Sequence, residues 1–178
     1  MRRLICVTLS ESAYAQIVRR DGNESGTLTL ASPLEFENTL LGPIELVLSQ
    51  ELDTHATHGG FRLRVLKCGY RIVVAEGPRD KRAALLRWEY ARELNEGDDW
   101  PQHHLHVHSS LAGADITGIH IPTGPVLIEY VIRFMISELG VTPARPDWRN
   151  SLDESEELFH KEFRPPGRWG RSARDKRA

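Results

Sequence analysis

The stretch that decides the fold is FRLRVLKCGYRIVVAEG, residues Phe61–Gly77. Apolar and basic residues alternate at its start, with Phe61, Leu63 and Val65 separated by arginines. Because successive side chains of a strand point to opposite faces, this period of two predicts a half-buried strand. Cys68-Gly69 is typical of a turn, and YRIVVAE then resumes the strand pattern. The stretch therefore predicts a β-hairpin.

Strand signals continue on both sides of this hairpin. Upstream, GTLTLASPLEFENTLLGPIELVLSQ (residues 26–50) alternates leucine-rich and β-branched runs with Ser-Pro and Gly-Pro breaks, which indicates short strands and turns. Downstream, ALLRWEYARE (84–93) predicts a third strand and HHLHVHSS (103–110) a fourth. Consecutive strands with short connections favour an antiparallel meander.

Three segments have helical patterns. SESAYAQIVRRDGN (10–23) predicts a short helix with Ser10 as its N-cap. The strongest pattern predicts a helix over Pro125–Leu139, with Gly140 as terminator. A third helix is predicted over Ser151–Phe163, because Ser151 and Glu154 match a capping box. The apolar side of the central helix is predicted to carry Leu127, Tyr130, Val131, Phe134 and Leu139.

These elements predict an α+β fold, in which an antiparallel sheet of about four to six strands carries the last two helices on one face. A length of 178 residues, 40% of them apolar, suits one domain, which we place at residues 1–163. The two cysteines, Cys6 and Cys68, are far apart, so we expect no disulfide framework. No apolar run approaches the roughly 18 residues of a membrane span, and we expect a cytoplasmic protein.

The last fifteen residues, 164–178, form a basic tail. They hold six of the 23 Lys and Arg residues and one of the 25 acidic residues. The first 163 residues therefore carry 17 basic and 24 acidic groups, although the whole chain has a net charge of only -2. A segment so poor in apolar groups is predicted to be disordered. It is either a solvated terminus or an electrostatic arm for nucleic acid or an acidic partner.

Four of the eight histidines fall within six positions, 103–108. On a strand, His104, His106 and His108 share one face, while His103 points the other way. The preceding strand places Arg87 and Glu89 on one face as well, opposite Trp88. If Trp88 packs against the helices, we expect Arg87 and Glu89 to share a surface with the three histidines.

These five residues form a candidate catalytic site. Histidine accepts and donates protons near neutral pH, Arg87 supplies a planar cation for a phosphate oxygen, and Glu89 could orient an imidazole. The set suits phosphoester chemistry without a cofactor. Two alternatives stay open: a divalent ion such as zinc on alternate histidines, with Glu89 or His120 as a further ligand, and a non-catalytic surface for a protein or nucleic acid partner.

The order of FRLRVLKCGYRIVVAE, LLRWEY, PQHHLHVH and PVLIEYVIRFMISELG resembles the TumE-type toxin family of prokaryotic toxin-antitoxin pairs over residues 61–140. The strand here reads Arg87-Trp88-Glu89-Tyr90, with Glu where the family pattern has Asp. The resemblance implies a small toxin-like domain with an antitoxin partner and an action on nucleic acid. The first sixty residues and the last helix lie outside it.

HLHVHSS also resembles the signature of the histidine-triad nucleotide hydrolases and transferases. That resemblance implies that His106 attacks a phosphoryl group, supported by His104 and His108. Ser109 and Ser110 depart from the apolar residues of the signature. The sequence thus favours a toxin-like or nuclease-like enzyme that cleaves RNA or another phosphoester by metal-independent acid-base chemistry. Nucleotide hydrolysis is the second reading, and the oligomeric state is undetermined.

Overall fold

A computed structural model describes residues 4–5, 8–10, 15–19, 26–57, 60–76, 78, 82, 84–94, 100–111 and 114–163. The predicted disordered tail, residues 164–178, lies outside this range. Within these residues, the helices with defined bounds are α1 (Ile128–Ser137) and α2 (Trp148–Phe163), and Leu4, Ile5 and Thr8 are also helical. The strands are β1 (Ala15–Arg19), β2 (Gly26–Leu30), β3 (Leu34–Phe36), β4 (Ile44–Thr57), β5 (Gly60–Val74), β6 (Ala84–Ala91), β7 (His103–Val107), β8 (Ser110–Leu111), β9 (Ala114–Asp115) and β10 (Ile121–Pro122).

Eight of these strands form one antiparallel sheet. The order is β1-β2-β4-β5-β6-β7-β10, and β3 pairs with the first residues of β4. The strands β8 and β9 form a separate two-stranded ladder. The α+β fold and its antiparallel meander are thus confirmed. The sheet is larger than the predicted four to six strands, because β1 joins one edge and the short β10 joins the other.

The predicted turn at Cys68-Gly69 is wrong. Strand β5 runs without a break through Gly69, which pairs with Ser49 of β4 and Glu89 of β6. A neighbour on each side holds the glycine extended, because its backbone is part of the ladder on both edges. The hairpin instead joins β4 to β5. The sequence pattern identified the region as strand, but it placed the turn inside β5 and not between β4 and β5.

The first predicted helix is also wrong where the structure describes it. Ala15–Arg19 forms β1 and pairs in register with β2. A helical spacing over so few residues is a weak signal, since short helices are marginal without tertiary packing. Pairing with a neighbouring strand satisfies the backbone N–H and C=O groups that would otherwise bond to each other within a helix.

The two remaining helices are confirmed, with changed starts and a changed face. Helix α1 begins at Ile128 rather than Pro125 and is followed by Gly140, whose φ of +74° favours glycine. Tyr130 is exposed, and its hydroxyl donates to Glu156 of α2 at 2.6 Å. Helix α2 begins at Trp148, so the predicted capping box lies inside it. The buried residues of α1 are Ile128, Glu129, Val131, Ile132 and Met135.

Both helices take part in one hydrophobic core on one face of the sheet. Ile132 and Met135 of α1 and Leu152 of α2 are fully buried. Trp88 meets Phe134 edge to face, with ring centroids 5.8 Å apart, so β6 directs its apolar side toward α1. We call the opposite side of the sheet the far face. The sheet residues at the centre of the core are Ile44, Leu46, Leu48, Tyr70 and Ile72. Among the described residues, no helix has the length and apolar composition needed to cross a bilayer.

Candidate functional site

The register between β6 and β7 brings four of the five predicted site residues together. Arg87 pairs with His106, and Glu89 pairs with His104. Directly opposed residues of an antiparallel pair project to the same face. Since Trp88 lies between Arg87 and Glu89 and faces α1, all four polar side chains project to the far face. The predicted shared surface of Arg87, Glu89 and the histidines is therefore present.

These two histidines are buried, in contrast to the exposed histidines of the non-catalytic alternative. His104 is 3% exposed and His106 is 4% exposed. The His104 Nδ1 atom lies 2.7 Å from the carbonyl oxygen of Pro101. Because a carbonyl only accepts, this ring nitrogen carries a proton and donates it to Pro101. The backbone thus fixes the tautomer of His104.

His106 has no comparable partner. Neither of its ring nitrogens makes a hydrogen bond within the described part of the chain. Burial lowers the pKa of His106 below its ordinary value of 6.5, and the neighbouring Arg87 and His120 act in the same direction. The Thr117 backbone and Glu89 oppose this shift. His106 is thus a neutral imidazole near pH 7, with a lone pair available.

The third member of the buried group is His120, which the sequence suggested only as a further ligand. One ring nitrogen from each of His104, His106 and His120 lies within 4.8 Å of the others. The ring of His120 is 4.4 Å from that of His106 and 4.9 Å from that of His104, measured between centroids. We call His104, His106 and His120 the histidine cluster.

Two contacts hold His120 in this place. Strand β10 pairs with β7, matching Ile121 to Leu105, which puts the preceding residue beside the cluster. Trp100 stacks on the outer side of the His120 ring, with a centroid distance of 5.1 Å and planes 7° apart. The sequence signal for this arrangement was slight: His120 alternates with isoleucines just before Pro122, which favours an extended chain.

His108, the third histidine of the sequence pattern, lies at the margin. It follows the end of β7, and its backbone amide donates to Leu85 at 2.9 Å. Its ring centroid is 6.2 Å from that of His106. His103 points to the other face, as predicted, and stacks on Tyr90 with a centroid distance of 4.4 Å.

Glu89 connects the cluster to Arg87. Its Oε2 atom lies 3.4 Å from Nε2 of both His104 and His106, and 3.3 Å from a terminal nitrogen of Arg87. The Arg87 Nε atom is buried without a hydrogen-bond partner in the described residues. The Glu89 carboxylate therefore contacts the Arg87 cation and two imidazoles. This arrangement places the negative charge of Glu89 next to groups that can accept a proton.

An open groove of about 370 Å³ lies on the far face beside the cluster. Lys67, Arg71 and Arg87 contribute positive charge to its wall, and Glu51, Glu89 and Glu93 contribute negative charge. Glu89 and His104 mark the place where the groove reaches the cluster. Gly69 forms part of the floor, and a side-chain carbon there would meet nothing within 4 Å. The groove is in the size range of small-molecule sites.

Comparison of the chain with protein-family models, curated proteins and solved structures finds no match. The resemblances to the toxin and histidine-triad families therefore stay predictions.

Proposed function

We propose that this protein hydrolyses phosphodiester bonds, with RNA as its substrate, in the groove beside the histidine cluster. The observation that carries the proposal is the register that sets Arg87 against His106 and Glu89 against His104. It places a fixed cation, a carboxylate and buried imidazoles at one wall of a groove. Phosphoryl transfer needs these parts, a group that binds phosphate oxygens and one that accepts a proton from the nucleophile.

Arg87 binds the phosphate in this proposal. Its side chain is one-third exposed and borders the groove, so its planar fork is within reach of two phosphate oxygens. The buried Nε gains an acceptor when an anion binds, and it has none among the described residues. Lys67 and Arg71, further along the groove, are two further cations for a nucleic acid backbone, and Glu51 and Glu93 line the same groove.

Glu89 accepts the proton of the attacking water. The water oxygen forms a new bond to phosphorus and gives one proton to the Glu89 carboxylate. The bond from phosphorus to the leaving oxygen breaks, both electrons stay on that oxygen, and it takes a proton from solvent in the groove. Glu89 then returns its proton to solvent. The histidine cluster holds the water beside Glu89, since its nitrogens lie 3.4 Å from that carboxylate.

A resemblance adds a biological setting to this chemistry. In a toxin-antitoxin pair, the partner protein would block the groove until it is degraded, and the predicted basic tail would add affinity for RNA or for that partner. Expression in a bacterial host tests this part. We expect slowed growth and loss of RNA with the wild-type chain, and normal growth with Glu89→Gln; equal growth of both would contradict the toxin setting.

Cleavage of a labelled RNA by the purified chain tests the reaction itself. We expect Arg87→Lys to lower kcat/KM about 10- to 100-fold, because a point charge replaces a bidentate contact worth about 1.5–3 kcal/mol. Glu89→Gln should reduce kcat about 100- to 10,000-fold. Arg145→Lys, an exposed change at a salt bridge to Asp147, is the matched control and should cleave normally. Full activity of Glu89→Gln would overturn the proposal.

A further inference from the structure

We propose that the histidine cluster is a binding site for a divalent transition-metal ion, zinc in the first instance, with His104, His106 and His120 as the three protein ligands. The binding itself depends on the cluster alone. Its part in hydrolysis, where the ion would supply and polarise the attacking water, rests on the proposed function. The sequence favoured metal-independent chemistry. We adopt the alternative here, in which zinc binds the histidines.

The geometry is that of a three-histidine site. Zinc binds histidine nitrogens at about 2.0–2.1 Å in a tetrahedron, so the ligand nitrogens stand about 3.4 Å apart. The three nitrogens here already lie within 4.8 Å of one another. His104 and His106 come from β7, and His120 directly precedes β10, which pairs with β7.

The burial of His106 is a second, independent indication. A buried polar group without a hydrogen bond is costly, by about 1–3 kcal/mol for a neutral group in mutational data. Neither nitrogen of His106 forms a hydrogen bond within the described residues, and the contact of its Nε2 with Glu89 is long, at 3.4 Å. The residue is only 4% exposed, and its polar neighbours include the other members of the cluster and Glu89. A cation at the centre would satisfy this ring.

The surroundings of the cluster are those of a metal site. Metal-binding histidines usually donate their second ring nitrogen to a carbonyl or carboxylate, and His104 does so to the carbonyl of Pro101 at 2.7 Å. Trp100 stacks on His120 and limits its rotation. Glu89 supplies a negative charge next to two of the three imidazoles. The cluster adjoins the groove at His104 and Glu89, which line its wall.

Imidazole donors decide the class of ion. Three imidazole nitrogens with one carboxylate nearby suit zinc, cobalt, nickel or copper, whereas magnesium and calcium prefer oxygen ligands. We therefore expect Zn²⁺ to bind and Mg²⁺ not to bind.

The test uses the full chain, purified without a histidine tag and freed of metal with a chelator. We expect calorimetry to give one Zn²⁺ per chain, and Co²⁺ to give the intense visible absorption of a four-coordinate site. His120→Asn should weaken zinc at least about 100-fold, since loss of an outer contact alone costs 10- to 100-fold. His103→Asn, on the same strand but facing the other way, should bind zinc normally.

Several results would overturn the site. Wild-type protein that binds no zinc, or that binds it equally well with His120→Asn, excludes this ligand set. If a ligand variant fails to fold, X-ray absorption of the zinc-loaded wild-type chain decides instead: fewer than three nitrogen neighbours of imidazole type excludes the site. Zinc binding without RNA cleavage would leave the site standing and remove the proposed function. Cleavage by the metal-free chain would leave the function standing and remove the role of the ion.

Discussion

Single residues on β7 differ in role because the strand alternates. His104 and His106 belong to the buried cluster. His103 projects to the opposite face of β7 and stacks on Tyr90. A change of one position exchanges these environments, since the side-chain period of a strand is two. The alternation was readable in the sequence. The sequence named His120 as one candidate for a further metal ligand but did not place it in the cluster. His120 is fourteen residues beyond His106 and is positioned by the pairing of β10 with β7.

Cys68 is a second example at the scale of one residue, because burial controls the reactivity of its thiol. Burial raises the pKa of its thiol from 9.0 to about 11, and the charge of Glu89 adds to this, while a contact with Tyr70 opposes it. At pH 8 the thiolate fraction of the folded chain is then about 100-fold below that of the unfolded chain. We expect iodoacetamide to label Cys68 about 100-fold more slowly in the folded state. Peptide mapping measures the labelling of Cys68 separately from that of Cys6.

The sign of the matching stability effect follows from the raised pKa. The folded state favours the protonated thiol, so this contribution is complete below pH 9 and is lost as the pH rises through about 11. Urea unfolding of the wild-type chain and of Cys68→Ser at pH 7 and pH 10.5 measures it. A wild-type stability that falls no more steeply than that of Cys68→Ser over this range would contradict the assignment.

At the scale of elements, β5 leaves space for the groove, because Gly69 in the middle of the strand has no side chain. The sequence pattern read this glycine as part of a turn. In the structure it is the middle of a strand with neighbours on both edges, and the absent side chain leaves space on the far face. Local composition could not separate these two cases, because a glycine suits both a turn and a place where another group comes close.

Filling that space tests the groove apart from the chemistry. A carbon added at Gly69 meets nothing within 4 Å, and valine favours strands, so Gly69→Val should keep or raise stability by up to about 1 kcal/mol. We expect it to abolish RNA cleavage, because its side chain projects into the groove, and to leave zinc binding unchanged. RNA cleavage by Gly69→Val at the wild-type rate would show that substrate binds elsewhere.

For the whole molecule, the core beneath α1 fixes the sheet on which the site is built. Ile132 is fully buried against it. Ile132→Ala should lower the free energy of unfolding by about 2–5 kcal/mol, from lost burial and the cavity left behind. Chemical denaturation measures this. Leu158→Ala, at a position 61% exposed on α2, is the control, and we expect a change within about 0.5 kcal/mol. Equal losses in both variants would place the core elsewhere.

The sequence by itself determined the strand periods, the two C-terminal helices, the α+β class and the face shared by His104 and His106. These depend on the alternation or the 3.6-residue spacing of neighbouring residues, which the chain specifies locally. Only the tertiary structure decided that β5 is continuous, that Arg87 lies opposite His106, and that His120 completes the cluster. Strand register and the path of a connecting segment depend on packing between residues distant in sequence, and no local pattern records that packing.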